Sequence, residues 1–413
     1  MPAMLRGIRA TVLVGAVAWS FAGPGSVAAH AATGSCPQPV AESMSQLGLQ
    51  PLPPALAAQQ PWAQQQLSPR RVWPLTTGAG VRVAVIDSGV DAGNPLLSAP
   101  GLVLQGADVV QGGAANYDCI GHGTMVAGII AAQPRPGMGM AGVAPGVQIL
   151  PVRQTESEQE SNGAEQLASA INYAVANGAT VINISITTSG STPDLAAAVS
   201  NALDHNDVVV AAAGNDGSSD NSPTEYPASY PGVLSVGAVG QNGQLLSFSS
   251  TGRVSVVAPG EDIVGPAADS PGLVVGQGTS FATAFVTGVA ALVRSYLPGL
   301  TAQQVVQRIE ATADHPPGAL PATGLGWGEV DPYAAVTAVL PSSGQSAAVP
   351  QAALAPHRPG PVTGGDEGLA MWIAGGSVGG ALLVVAVAAL APYGRRRRWR
   401  PGRWDSGGSR LAS

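Results

Sequence analysis

Val83-Ala84-Val85-Ile86-Asp87-Ser88-Gly89-Val90 is an apolar run that closes on a carboxylic acid and then a glycine. A short β-branched run stopped by a turn signal predicts a strand buried on both faces. Outward from it, runs of the same character begin the segment at 81–86 and recur at 147–152, 181–186, 208–212 and 233–236. Ala-rich stretches with helical character lie between them at 121–132, 163–177 and 193–206, and 286–296 and 302–311 extend the helical layer. Strands alternating with helices predict an α/β fold with a mostly parallel central sheet and helices on both faces. Open sheets of this kind bind ligands at the carboxyl ends of their strands, which is where Asp87 falls. An Asp at a strand end is also an ordinary cap for the segment after it, so Asp87 alone decides nothing.

Two further segments put a reactive group at an element boundary. Gly121-His122-Gly123-Thr124-Met125-Val126-Ala127-Gly128 opens a helix with a histidine between glycines. Gly278-Thr279-Ser280-Phe281-Ala282-Thr283 puts a serine at the start of a long apolar helix. Judged singly, the histidine could be a packed or capping residue and the serine an N-cap. Together, Asp, His and Ser facing one crevice are what nucleophilic acyl transfer needs. A serine hydroxyl attacks only when an imidazole takes its proton, and a buried carboxylate holds that imidazole in the right tautomer. A fourth segment, Val209-Val210-Ala211-Ala212-Ala213-Gly214-Asn215, ends a strand on an amide. The Asn215 NH2 and the Ser280 backbone N–H are candidate donors to an oxyanion.

The chain ends set a topology. Arg6 and Arg9, an apolar stretch over 10–22 and Ala29-His30-Ala31 have the layout of a secretory signal peptide over 1–31, with a retained anchor as the rival reading. Residues 369–391 carry no charge, long enough for a transmembrane helix. Asp366 and Glu367 precede that span and Arg395-Arg396-Arg397-Arg398 follow it, which predicts a single-pass protein of the cell membrane whose 392–413 tail is cytoplasmic. Residues 32–74 form a Pro/Gln-rich arm, expected to be extended on the domain; 75–340 form the large domain and 341–368 a Pro/Ser/Gly-rich linker. Nine arginines against 24 acidic residues over 32–368 make the exported part acidic, which argues against nucleic acid as a partner. Cys36 and Cys119 are the only cysteines, so one bridge is the only intramolecular pairing, with free or intermolecular thiols as the alternative. Glu156, Glu158 and Glu160 read as a solvated loop rather than a docking surface.

The four segments, in this order, resemble the subtilisin superfamily of serine proteases, with the similarity running from about Gly80 to Ala338. Gly142-Val143-Ala144-Pro145, Tyr226-Pro227-Ala228-Ser229-Tyr230-Pro231 and Gly326-Trp327-Gly328-Glu329-Val330-Asp331-Pro332 are similar to further landmarks of that family. The resemblance implies a subtilisin-like fold, Asp87, His122 and Ser280 as catalytic triad and Asn215 as oxyanion donor. It also implies that the strand 181–186 and its continuation pair with an extended peptide, so that Ser185, Ile186, Thr187 and Gly214 contact substrate. Ala284 stands where family members usually carry proline, and Thr187 where they carry glycine, which is expected to narrow the cleft. The loop 133–140 offers no carboxylate for the calcium site common among relatives, and no metal or cofactor is expected.

Signal peptide, proline-rich arm, Asp118-Cys119-Ile120-Gly121-His122-Gly123-Thr124, linker, one span and a basic tail together resemble the mycosins, membrane-anchored subtilisin-like proteases associated with type VII secretion. That resemblance implies protein or peptide substrates and a type VII secretion membrane complex as partner. The arm lacks the apolar periodicity of a foldable pro-domain and is expected to remain as a wrap. The rival function is a structural component of a secretion complex with dispensable proteolysis. A lipase or esterase fails on triad order and lacks a Gly-x-Ser-x-Gly elbow.

Overall fold

A computed structural model describes residues 36, 38–155, 163–217 and 224–340. The expected signal peptide, linker, membrane span and basic tail, and Glu156, Glu158 and Glu160, lie outside the described residues. Among the described residues no helix is long and apolar enough to cross a membrane.

The arm is not simply extended. It forms α1 (Val40–Gln46), β1 (Gln50–Pro51) and α2 (Trp62–Leu67), with single turns at Pro54–Leu56 and Pro69–Arg71. Helices of six or seven residues are not stable on their own. These are held by burial: Val40, Met44, Leu49, Ala63 and Leu67 join the main hydrophobic core. Buried Gln64 binds the domain backbone twice, its amide donating to Ala141 O at 2.6 Å and accepting Ala141 N at 3.2 Å. Trp62 and Trp73 donate their indole N–H groups to Glu261 O and Val143 O, each at 3.0 Å. A disulfide joins Cys36 to Cys119 across 83 residues of chain.

The domain continues through β2 (Arg82–Asp87), β3 (Ala107–Asp108), α3 (His122–Ala131), β4 (Gln148–Arg153), α4 (Gly163–Ala176), β5 (Val181–Ile184), α5 (Pro193–Asp204), β6 (Val208–Ala212), β7 (Leu234–Val239) and β8 (Val256–Pro259). Seven strands form one sheet in the order β3-β4-β2-β5-β6-β7-β8, and every pair is parallel. After β8 come β9 (Ile263–Pro266) and β10 (Leu273–Gly276), then α6 (Thr279–Tyr296), α7 (Ala302–Ala311) and α8 (Pro332–Thr337). β9 and β10 pair antiparallel, and β1 adds to β10 to complete a three-stranded sheet.

Side chains along β2 alternate between two cores, as the two-residue period of a strand requires. Val83 and Val85 pack in the core that contains α3 and α6, whereas Ala84 and Ile86 face α4 and α5. Helices therefore cover both faces, the α/β architecture expected of subtilisin-like chains. α6 is buried from Thr279 to Arg294, the pattern of a helix that runs through a core rather than over it. Its first turn meets the carboxyl edge of the sheet, and that meeting creates the site.

Candidate active site

Adjacent strands β2, β5 and β6 bring Asp87, Ser185 and Asn215 to one edge, Asp87 as the last residue of its strand and the others just beyond theirs. Asp87 is 1% exposed. Its Oδ1 accepts the Ser88 backbone N–H at 2.8 Å and lies 2.8 Å from His122 Nδ1. A carboxylate only accepts, so this contact puts the ring proton on Nδ1 and makes Nε2 the basic nitrogen of the neutral imidazole. His122 is the first residue of α3, preceded by Gly121 at φ +96°. Gly123 has a separate reason to be glycine, since a β-carbon there would stand 2.1 Å from Gly89 O. Phe281, next to Ser280 on α6, packs on the His122 ring with centroids 5.2 Å apart.

Ser280 is the second residue of α6 and does not cap it; Gly278 holds the N-cap position. The buried Ser280 hydroxyl donates to Ser185 O at 3.1 Å. Its backbone N–H lies in the first helical turn, where N–H groups have no intrahelical partner. Asn215 Oδ1 accepts both the backbone N–H and the hydroxyl of Thr279, each at 2.9 Å. With its oxygen held on that side, the amide turns its NH2 away from Thr279, and Nδ2 is the atom nearest to where a Gly278 β-carbon would stand. Thr279 was not singled out from sequence, because its role depends on a partner 64 residues away.

Past β5, Ser185, Ile186 and Thr187 run on without a ladder partner among the described residues until Thr188 and Tyr226 exchange backbone hydrogen bonds at 2.9 Å. Asn183 Nδ2 donates to Ser185 Oγ at 2.8 Å, and Thr287 Oγ1 of α6 donates to Asn183 Oδ1 at 2.8 Å. The Thr187 side chain faces the carboxyl of Glu225, a residue the sequence reading passed over although it directly precedes the Tyr226-Pro227 landmark. Glu225 is buried against Gly214, whose β-carbon would come within 2.7 Å of Glu225 Cγ. Burial holds the Glu225 carboxyl above its ordinary range, the Thr187 contact pulls it down, and Asp216 pushes it up.

Behind the histidine lies a second acid. Asp118 is buried and accepts five hydrogen bonds, from Ser88 Oγ (3.0 Å), Ile120 N (2.9 Å), Gly121 N (2.8 Å), Thr124 N (2.9 Å) and Thr124 Oγ1 (2.6 Å). Burial pushes its carboxyl above the usual range while contacts with residues 120, 121 and 124 oppose that rise. Buried Arg153, register partner of Asp87, donates to Ser88 O at 2.9 Å, Asp108 Oδ2 at 3.2 Å and Tyr117 O at 2.5 Å.

An acid-bound histidine, a serine at a helix start and an anchored amide on one edge of a parallel sheet are the parts that a serine protease of α/β fold requires. The subtilase family model, of the peptidase S8 group, matches residues 78–328. Mycosin-1 of Mycolicibacterium smegmatis is 35% identical over 408 residues, spanning 84% of this chain and 87% of the relative. Mycosin-4 of Mycobacterium tuberculosis is 38% identical over 378 residues, 81% of each. Among solved structures, MycP1 from Mycobacterium smegmatis matches at TM-score 0.61 and 35% identity over 71% of this chain and 88% of that one. The MycP3 protease from the type VII (ESX-3) secretion system matches at TM-score 0.62 and 37% identity over 70% and 92%. The chain belongs to the subtilase family of serine proteases and, within it, to the mycosins.

Proposed function

We propose that Ser280 is the nucleophile of this protease, His122 its general base and acid, Asp87 the group that orients the imidazole, and Asn215 an oxyanion donor. The observation that carries this reading is the 2.8 Å contact between His122 Nδ1 and the buried Asp87 carboxylate. An extended peptide pairs with Ser185, Ile186 and Thr187 and presents its scissile carbonyl to Ser280. As the site engages, the Ser280 hydroxyl turns from Ser185 O to His122 Nε2, gives up its proton there, and Oγ bonds to the carbonyl carbon. The oxyanion forms between Asn215 Nδ2 and the Ser280 backbone N–H. The imidazolium then returns its proton to the leaving amine, and water hydrolyses the acyl-enzyme by the same route.

The domain works outside the cell membrane, tethered by the span at 369–391, on protein or peptide substrates beside a type VII secretion complex. Support comes from the apolar span and the arginines after it, and from the secretion system named for the MycP3 protease. The arm stays on the domain as a permanent wrap, a reading supported by the side chains of Val40, Met44, Leu49, Ala63 and Leu67 that complete the core.

Labelling of the full-length protein by a fluorophosphonate, with Ser280→Ala as control, tests the catalytic assignment: labelling that persists in the variant refutes it. Protease protection of intact cells tests the topology, and a domain that survives external protease refutes it.

A further inference from the structure

Asp87 and His122 are brought together from separate segments, and something must set the distance between their loops. The Asp87 side is Ser88: its N–H holds Asp87 Oδ1 at 2.8 Å, and its hydroxyl accepts the Gly123 N–H at 3.0 Å, from the residue after His122. A serine hydroxyl oriented to accept there needs somewhere to send its own proton, and Asp118 Oδ1 takes it at 3.0 Å. The same Asp118 oxygen holds the N–H groups of Ile120 and Gly121 just before the histidine, while Oδ2 holds Thr124 through both N–H and hydroxyl. One buried carboxylate therefore grips the chain on both sides of His122 and, through Ser88, the chain beside Asp87.

We propose that Asp118 is a positioning residue that sets the Asp87–His122 hydrogen bond through Ser88, and so the basicity of His122. This rests on the catalytic reading above. The logic is one of acceptors: all five groups facing Asp118 are donors, and only a carboxylate supplies acceptor sites for all of them on two oxygens. An amide there turns an NH2 toward a donor, which forces either Ser88 or the 120–124 turn to move. A shift of the imidazole by a fraction of an ångström weakens the Asp87 contact that stabilises imidazolium.

Two variants of the full-length protein in detergent test this. Asp118→Asn replaces an acceptor by a donor, and Ser88→Ala cuts the link while leaving the contacts of Asp118 to residues 120, 121 and 124. Each is expected to lower kcat on a peptide substrate by roughly 10- to 100-fold, with KM within about twofold. Each is also expected to lower the pKa of His122, followed by NMR of 13C-labelled histidine, by about half a unit or more relative to the parent protein. The acid limb of the fluorophosphonate labelling rate should move with it. A lower melting temperature with unchanged His122 titration and pH profile would show a merely structural role and overturn the proposal. If Asp118→Asn does not fold, Ser88→Ala decides: parent-like titration and kcat in that variant overturn it equally. The histidine titration needs no turnover, so a parent protein that fails to label would refute the catalytic reading while the coupling of Asp118 to His122 is still read.

Discussion

Met44 of the arm fills the space over Gly121, the residue before His122: a β-carbon on Gly121 would stand 2.5 Å from Met44 Cγ and 2.8 Å from its sulfur. Leu49 does the same at Gly276, where a β-carbon would meet Leu49 Cδ2 at 2.5 Å and the Phe281 ring at 2.9 Å. The arm thus packs on the residue before His122 and on the last residue of β10, at the space that the Phe281 ring also borders.

Met44→Ala therefore removes support as well as apolar area. Truncating a buried methionine costs about 2–5 kcal/mol, and the exposed rim of this one puts the expected loss toward the lower end. Urea denaturation of the oxidised protein measures it. A midpoint equal to that of the parent would mean that the arm contributes nothing at this point.

Asn215 offers a separable effect, because its oxygen is engaged by Thr279 and the proposed mechanism uses only its nitrogen. Asn215→Ala is expected to lower kcat by roughly 10²–10³ with KM nearly unchanged, the size of loss that follows removal of an oxyanion donor. Steady-state kinetics on one peptide settles the point. A rise in KM alone would assign Asn215 to ground-state binding.

Thr187 stands beside the expected peptide path with its side chain facing Glu225. Removing it by Thr187→Gly should open the cleft there. Relative kcat/KM for peptides with large side chains next to the scissile bond is expected to rise several-fold over those with alanine. An unchanged ranking across a peptide series would place Thr187 outside the pocket.

Glu329 is a pH-dependent element of the arm's attachment. Burial pushes its carboxyl up to about 7, opposed by Gln66 and assisted by Asp314. The Gln66 amide donates to both carboxylate oxygens, at 2.6 and 2.8 Å. Because the folded pKa is raised, between about 4.5 and about 7 the folded protein keeps a proton that the unfolded chain releases. That contribution is complete at the acid end, is lost as pH rises through about 7, and is constant above it. Glu329→Gln should narrow the difference in melting temperature between pH 5 and pH 8. It should not abolish that difference, since burial also pushes Asp207 up to about 7, against the charges of His205 and Arg294. An unaltered difference would mean that Glu329 does not titrate in this range.

The parallel sheet was legible because five of its strands are continuous β-branched runs whose both faces are covered. The residues of the site were legible because each stands at an element boundary with small residues around it. The arm's helices were not: six or seven residues are too few for a helical period, and their order comes from contacts such as Gln64 with Ala141. β9 and β10 were equally hidden, since each has four residues and the pair is completed by β1 from more than 200 positions earlier. Asp118 could be read only as part of a motif, because its role lies in five donors whose convergence depends on the fold. Glu225 had no local signal at all until Gly214 and Thr187 were seen against it.

The line from Thr287 through Asn183 to Ser185 has a mechanical meaning. It bolts the third turn of the helix that carries Ser280 to the strand that would hold the peptide, with buried hydrogen bonds of 2.8 Å at each joint. Those two parts form one fixed jaw. His122 faces them from α3, which shares the main core with α6 and whose start is tied by the Asp118 carboxylate and the Cys36–Cys119 disulfide. On the proposed mechanism the attacking oxygen and the peptide would then ride on one unit, their spacing set by buried core contacts rather than by the loops that rim the crevice.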